Sequence, residues 1–107
     1  MNQPQRGEVW LADCGFVAKV RPVVVISIPP KDTDRALITV VPHTTKIVGS
    51  EFEVHLPIRW LESGAFNIQS IFPLVPPQFI RKLGVLTPEQ LAEIENILRR
   101  WEGLQPG

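Results

Sequence analysis

The run Val20-Arg21-Pro22-Val23-Val24-Val25-Ile26-Ser27-Ile28 is the tightest constraint on what this chain can become. It is rich in side chains branched at Cβ and nearly unbroken in apolar character. Such a run reads as a strand buried on both faces. Pro22 has no N–H to give, so it belongs near the strand's start or beside a bulge. A strand covered on both sides needs neighbours in its sheet and further elements above and below it. The other residues of a 107-residue chain must supply them, and that length suits one domain, 1–107, around one core.

The flanking sequence supplies short β elements. Residues 7–13 alternate imperfectly and read as a first strand. Residues 36–41 are a third, expected to end at Pro42. In 51–56 acidic or polar residues alternate with apolar ones, the pattern of a half-exposed strand. Residues 60–64 suggest one helical turn, 66–72 another strand, and 79–83 a short last strand. Eleven prolines favour many short elements over a helical bundle.

The C-terminal end differs in kind. Thr87-Pro88-Glu89-Gln90 is a capping box with proline at the first helical position. Leu91, Ile94, Ile97, Leu98, Trp101 and Leu104 then recur at helical spacing. Gly103 is a natural stop. A helix from Pro88 to about residue 102 is predicted, roughly four turns long. Strands followed by one closing helix give an α+β class that is mostly β, with a curled sheet or open barrel.

Composition excludes several function classes. The formal net charge is zero, so no chain-wide basic footprint exists. Residues 1–50 carry six basic and four acidic side chains, against five and seven in 51–107, which leaves room for a local basic patch. The single cysteine, Cys14, forms no internal disulfide, and two histidines without a CxxC give poor support for a metal site. No cofactor motif is present: Gly15 and Gly49 stand alone, outside any glycine-rich phosphate loop. No apolar run approaches the roughly 18 residues that span a bilayer. The polar N-terminus lacks a signal-peptide core, so a cytoplasmic protein without membrane partners is expected.

Arg21 opens an otherwise apolar strand. A guanidinium fork on a rigid strand end matches phosphate geometry, and an ion pair with Asp13 or Glu8 is the more ordinary reading of this segment alone. Thr44, Thr45 and Lys46 follow the third strand, where hydroxyls and a cation can hold phosphate or ribose, or simply cap a turn. His43 is a better acid–base candidate than His55, which falls in the alternating strand. Trp10, Phe16 and Trp60 can stack on bases or pack in the core. Cys14 reads as a small, partly buried filler or a reactive thiol.

Taken in order, these segments resemble the MazF/PemK family of bacterial toxins. The matching blocks are Arg6-Gly7-Glu8-Val9-Trp10, Arg21-Pro22-Val23-Val24-Val25-Ile26-Ser27 and Val41-Pro42-His43-Thr44-Thr45. Glu51-Phe52-Glu53-Val54, Asn67-Ile68-Gln69-Ser70-Ile71 and Arg81-Lys82-Leu83-Gly84 follow, and the likeness covers residues 6–104. The resemblance implies a small SH3-like open barrel with a C-terminal helix. It implies a homodimer that cuts single-stranded RNA, mostly mRNA, without ribosomes or metal. A cognate MazE-like antitoxin with an acidic tail would fill the RNA groove. The family's catalytic arginine and threonine fall on Arg21 and Thr44. Lys19, Phe16, His43, Thr45, Lys46 and Gln69 are the expected substrate-binding set.

Two departures stand out. The connection between the first strands is only residues 14–20 and holds no serine or acidic residue, whereas many members carry a longer loop with a candidate general base. Gln69 stands where relatives often have a basic residue. Two other readings stay open. One is a barrel toxin that poisons a protein such as DNA gyrase, and the other is a catalytically idle relative that binds only its antitoxin.

Overall fold

The computed structural model describes residues 3–15 and 19–104, and the fold it shows is a mostly antiparallel β architecture with one C-terminal helix. The strands are β1 (Glu8–Asp13), β2 (Val20–Val25), β3 (Ile38–Thr44), β4 (Glu53–Val54), β5 (Ala65–Asn67), β6 (Phe72–Leu74) and β7 (Phe79–Val85). The helix, α1, is Pro88–Trp101. The sheet runs β4-β5-β3-β2-β1-β7, with β6 added beside β3, and it stays open between its two ends. None of the described helices is long and apolar enough to cross a membrane.

The valine run behaves as its side chains demand. Val23, Val24 and Val25 are fully buried. Val24 joins Val9, Val41, Phe66 and Ile94 in a cluster beneath α1. Val23 and Val25 face the other way, into a cluster with Trp10, Val40, Leu74 and Phe79. Successive strand residues point to opposite faces, so β1, β2 and β3 divide two apolar layers between them. The strand ends at Val25, three residues before the predicted limit, and Ile28 stands in solvent. Ser27 stops the ladder there, since its hydroxyl accepts the Thr39 N–H at 2.9 Å.

Other predicted boundaries are corrected. β3 runs through Pro42 to Thr44. On one side of β3 the ladder to β6 ends at Val40 and the ladder to β5 begins at His43. Pro42 falls in that gap, where a missing N–H costs least. The single strand expected over 66–72 is broken into β5, a 3-10 turn at Ile68–Ser70, and β6. Both strands lie along β3, but six residue steps from Phe66 to Phe72 face only three from His43 to Val40. The surplus is taken up by the turn, which bulges out of the sheet. β7 reaches Val85, two residues beyond the predicted end, because β1 offers it a full-length partner. The 60–64 segment makes a turn with a Leu61 N–H to Ile58 carbonyl bond and no helix.

α1 starts as the capping box requires. The Gln90 N–H donates to Thr87 Oγ1 at 3.1 Å, and the Thr87 N–H donates to Gln90 Oε1 at 2.9 Å. Its end is set by Gly103 at φ +71°, a conformation that glycine adopts without cost. Trp101 meets Phe52 edge to face, with ring centroids 5.0 Å apart. Gly84 on β7 lies directly under the Trp60 indole: a Cβ there would sit 2.5 Å from the ring. The absent side chain lets the 58–61 loop close over the sheet.

Candidate functional site

β2 begins and β3 ends at the same end of the sheet, so their termini lie together. A groove of about 570 Å³ opens there, lined by Arg21 from β2 and by Pro42 and Thr44 from β3. Lys46 and Val48 from the following loop and Glu53 from β4 form another wall. Asn67, Ser70 and Phe72 close it from the bulged segment, and Cys14 from the end of β1. A smaller hollow of about 290 Å³ adjoins it and holds His43, Thr45 and Glu62. Arg21, Thr44 and Lys46 line both hollows and form the saddle between them.

Arg21 is half-buried and sits opposite Ala12 of β1. Its charge reaches both neighbours in the site: it favours the thiolate of Cys14 and disfavours protonation of His43. Glu8, one of the two ion-pair partners weighed for Arg21, is committed elsewhere. Its carboxylate accepts the Gln5 N–H and the Trp10 indole N–H and pairs with Lys82 at 2.9 Å. Burial pushes Glu8 up, but those donors outweigh it and its pKa lies below the usual carboxylate value.

Thr44 performs the turn-capping role that threonine often takes, and it does so inside the groove. Its Oγ1 accepts the Lys46 N–H at 3.0 Å. The hydroxyl in turn donates to the Lys46 carbonyl at 3.4 Å, a long bond that costs little to exchange for a better acceptor. Thr45 and Lys46 are exposed beside it.

His43 is 5% exposed and stands edge-on to Phe66, centroids 5.1 Å apart. Burial lowers its pKa; the Arg21 charge adds to this and Glu62 opposes it. At neutral pH it is therefore neutral, and the positive charge of the saddle comes from Arg21 and Lys46. Burial also raises the Cys14 thiol, against the pull of Arg21, so this is a protonated thiol and no nucleophile at neutral pH.

Of the other predicted site residues, Lys19 ends the first loop in a left-handed conformation, φ 55°, with its N–H bonded to the Gly15 carbonyl. Gln69 is exposed on the 3-10 turn and accepts the Ser50 hydroxyl at 3.4 Å. Neither side chain lines the two hollows. Phe16 lies outside the described residues. Glu53, Asn67, Ser70 and Phe72 were not singled out from the sequence. One signal was available: Asn67 and Ser70 are three apart, the spacing that puts side chains on one side of a 3-10 turn.

Gly64 controls how closely β5 approaches the site. A Cβ there would lie 2.2 Å from the Thr44 carbonyl oxygen and 2.8 Å from the His43 ring. Gly64→Ala is expected to push β5 away from Thr44 and destabilise the fold by about 1–3 kcal/mol, the usual cost of overpacking. Urea denaturation measures it; a variant as stable as the wild type would show that the strand end shifts freely.

A profile described as "PemK-like, MazF-like toxin of type II toxin-antitoxin system" matches residues 5–101. A sequence search of curated proteins returns no match. Among solved structures, the chain is similar to an endoribonuclease from a mycobacterial species in complex with its cognate antitoxin. That likeness has a TM-score of 0.80 and 25% identity and covers 100% of both chains. It is also similar to MazF in a MazE–MazF complex from Deinococcus radiodurans (TM-score 0.76, 26% identity, 96% of this chain and 98% of that one). A MazF structure from the same organism aligns with a TM-score of 0.78 at 25% identity, over 96% and 99%.

Proposed function

This chain belongs to the PemK-like, MazF-like toxin family of type II toxin–antitoxin systems, and on that footing we propose that it is an endoribonuclease whose reacting phosphate sits at the Arg21–Thr44 saddle. The substrate is single-stranded RNA, mRNA foremost, cut at short sequence motifs without ribosomes or metal in the cytoplasm. One observation carries the reading: Arg21 and Thr44, distant in sequence, line the same two hollows.

The chemistry follows from the residue types. A ribose 2′-oxygen forms a bond to phosphorus as the bond to the 5′-oxygen breaks. The products are a cyclic phosphate and a free 5′-hydroxyl. Negative charge grows on the non-bridging oxygens in between. The Arg21 fork and the Thr44 hydroxyl are donors placed before that charge appears, and such donors are commonly the largest catalytic contribution. Lys46 adds positive charge for the flanking backbone, and the smaller hollow with Thr45 and His43 meets an adjoining nucleotide. A homodimer would extend the groove across two copies, and a MazE-like antitoxin with an acidic segment would block it. The mycobacterial and Deinococcus relatives supply precedent for the antitoxin partner.

Incubation with a defined single-stranded RNA, followed by mapping of cut sites and end groups, tests this. Cyclic phosphate and 5′-hydroxyl ends are expected. Cleavage is also expected to survive EDTA, because Arg21 and Thr44 stabilise the charge; abolition by EDTA with rescue by Mg²⁺ would point to another mechanism. A protein that leaves RNA intact but inhibits DNA gyrase would support the poison reading instead.

A further inference from the structure

Glu53 lines the groove, yet both of its carboxylate oxygens are engaged by backbone N–H groups of the chain itself. The alternating pattern of 51–56 predicts an outward acidic residue, whereas Glu53 is 8% exposed. Its Oε1 accepts the Gly49 N–H at 2.8 Å and the Ser50 N–H at 3.0 Å, and its Oε2 accepts the Val48 N–H at 3.0 Å. The Glu53 N–H in turn donates to the Ser50 carbonyl at 3.2 Å. The far end of the same segment is held by Thr44 Oγ1 on the Lys46 N–H. The loop is therefore cinched at both ends by side chains of the site.

Apolar burial does not hold this loop. Val48 is 76% exposed and Ile47 43%. Hydrogen bonds to a charged acceptor are stronger than neutral ones and fix geometry where packing does not. The three donors also explain how a carboxylate can stand beside a groove meant for an anion. The N–H of Val48 first, then those of Gly49 and Ser50, keep its pKa below the usual value against the effect of burial.

We propose that Glu53 is a positioning residue: with Thr44 holding the Lys46 end, it fixes the 48–50 end of the segment that forms one wall of the groove, and thereby sets RNA affinity rather than the rate of bond cleavage. This role rests on the RNA reading above. It makes a prediction opposite in sign to simple electrostatics. Removing a negative charge beside an anion groove strengthens anion binding if Glu53 is a bystander, and weakens it if Glu53 holds the wall.

The test uses the full-length protein and single-stranded RNA with every 2′-hydroxyl replaced by fluorine, which binds without being cut. Glu53→Gln keeps the shape but loses the charge and one acceptor. Its Kd for that RNA, and KM for cleavable RNA, are expected to rise roughly tenfold while kcat stays within about twofold, a loss of the size seen when coupled neighbours are separated. Combining it with Lys46→Ala is expected to cost less than the sum of the two, since both changes weaken the hold of the same wall on RNA. Amide hydrogen exchange at residues 48–50 is expected to quicken. Gly49→Ala supplies an independent perturbation: Gly49 has φ +87° with open space around it, so a side chain strains the loop without touching Glu53 or the core. It too is expected to raise Kd, and it serves if Glu53→Gln does not fold. Unchanged or tighter RNA binding, or unchanged exchange at 48–50, overturns the inference alone. A wild type that binds no single-stranded RNA overturns the RNA reading, and this role with it.

Discussion

Arg21→Ala is expected to slow RNA cleavage on the order of 10²–10³-fold, the usual cost of removing one donor aimed at developing negative charge. The loss should fall on kcat, because the charge that Arg21 meets is largest on the phosphorane and smaller on the bound substrate. The fold should survive. Arg21 is half-buried at the second position of β2, while the core contribution of that strand comes from Val23, Val24 and Val25. Arg21→Lys should recover only part of the rate, since an ammonium lacks the fork that meets two phosphate oxygens at once. Single-turnover cleavage of a defined RNA, beside a thermal melt of each variant, gives both quantities. An alanine variant that cuts as fast as the wild type would remove Arg21 from the active site.

Phe66→Ala is expected to cost about 3–5 kcal/mol of stability, as for other fully buried aromatic side chains. Phe66 is 1% exposed and is the largest fully buried side chain among the described residues. It pairs with His43 on one side and Val54 on the other, so it joins β3, β5 and β4. Its ring also packs edge-on against the His43 imidazole, which lines the smaller hollow. A loss of that size is a large share of the roughly 5–15 kcal/mol that ordinarily stabilises a domain. The variant should therefore unfold at much lower denaturant, with activity lost in step. Phe66→Leu, which leaves a smaller cavity, should lie between. A denaturation midpoint for Phe66→Ala within error of the wild type would show that this joint is not what holds the three strands together.

The two experiments probe different links. Arg21→Ala tests the proposed catalytic role of a side chain that the start of β2 places in the groove. Phe66 tests the packing that brings β5, and with it Asn67 and the 3-10 turn, to the other side of the same groove. The stability of the joint and the shape of the groove are thus linked through one register, that of β5 on β3.

How much could be read in advance depended on the range of the interactions. The valine strand and the capped helix announce themselves because side-chain period and capping chemistry are local: neighbours in sequence decide them. Arg21 and Thr44 were legible as a pair through the ordered motifs around them, and the structure brings them to one saddle. The passage of β3 through Pro42 was not legible. A proline reads as a stop unless one knows that the strand changes partner at that residue, which depends on where β5 and β6 settle. The break within 66–72 has the same cause.

Glu53 shows the difference most plainly. Its place in an alternating segment assigns it to solvent, and that pattern carries no information about which backbone N–H groups will be waiting inside. A buried carboxylate is tolerable only when donors meet it, and these donors belong to a loop that exists only once β3 and β4 are in place. The sequence alone determined the valine strand and the capped helix, because apolar period and capping are written in neighbouring positions. Tertiary structure alone decided the groove: its walls come from segments that meet across the sheet, and its shape rests on one buried charge whose partners no local pattern names.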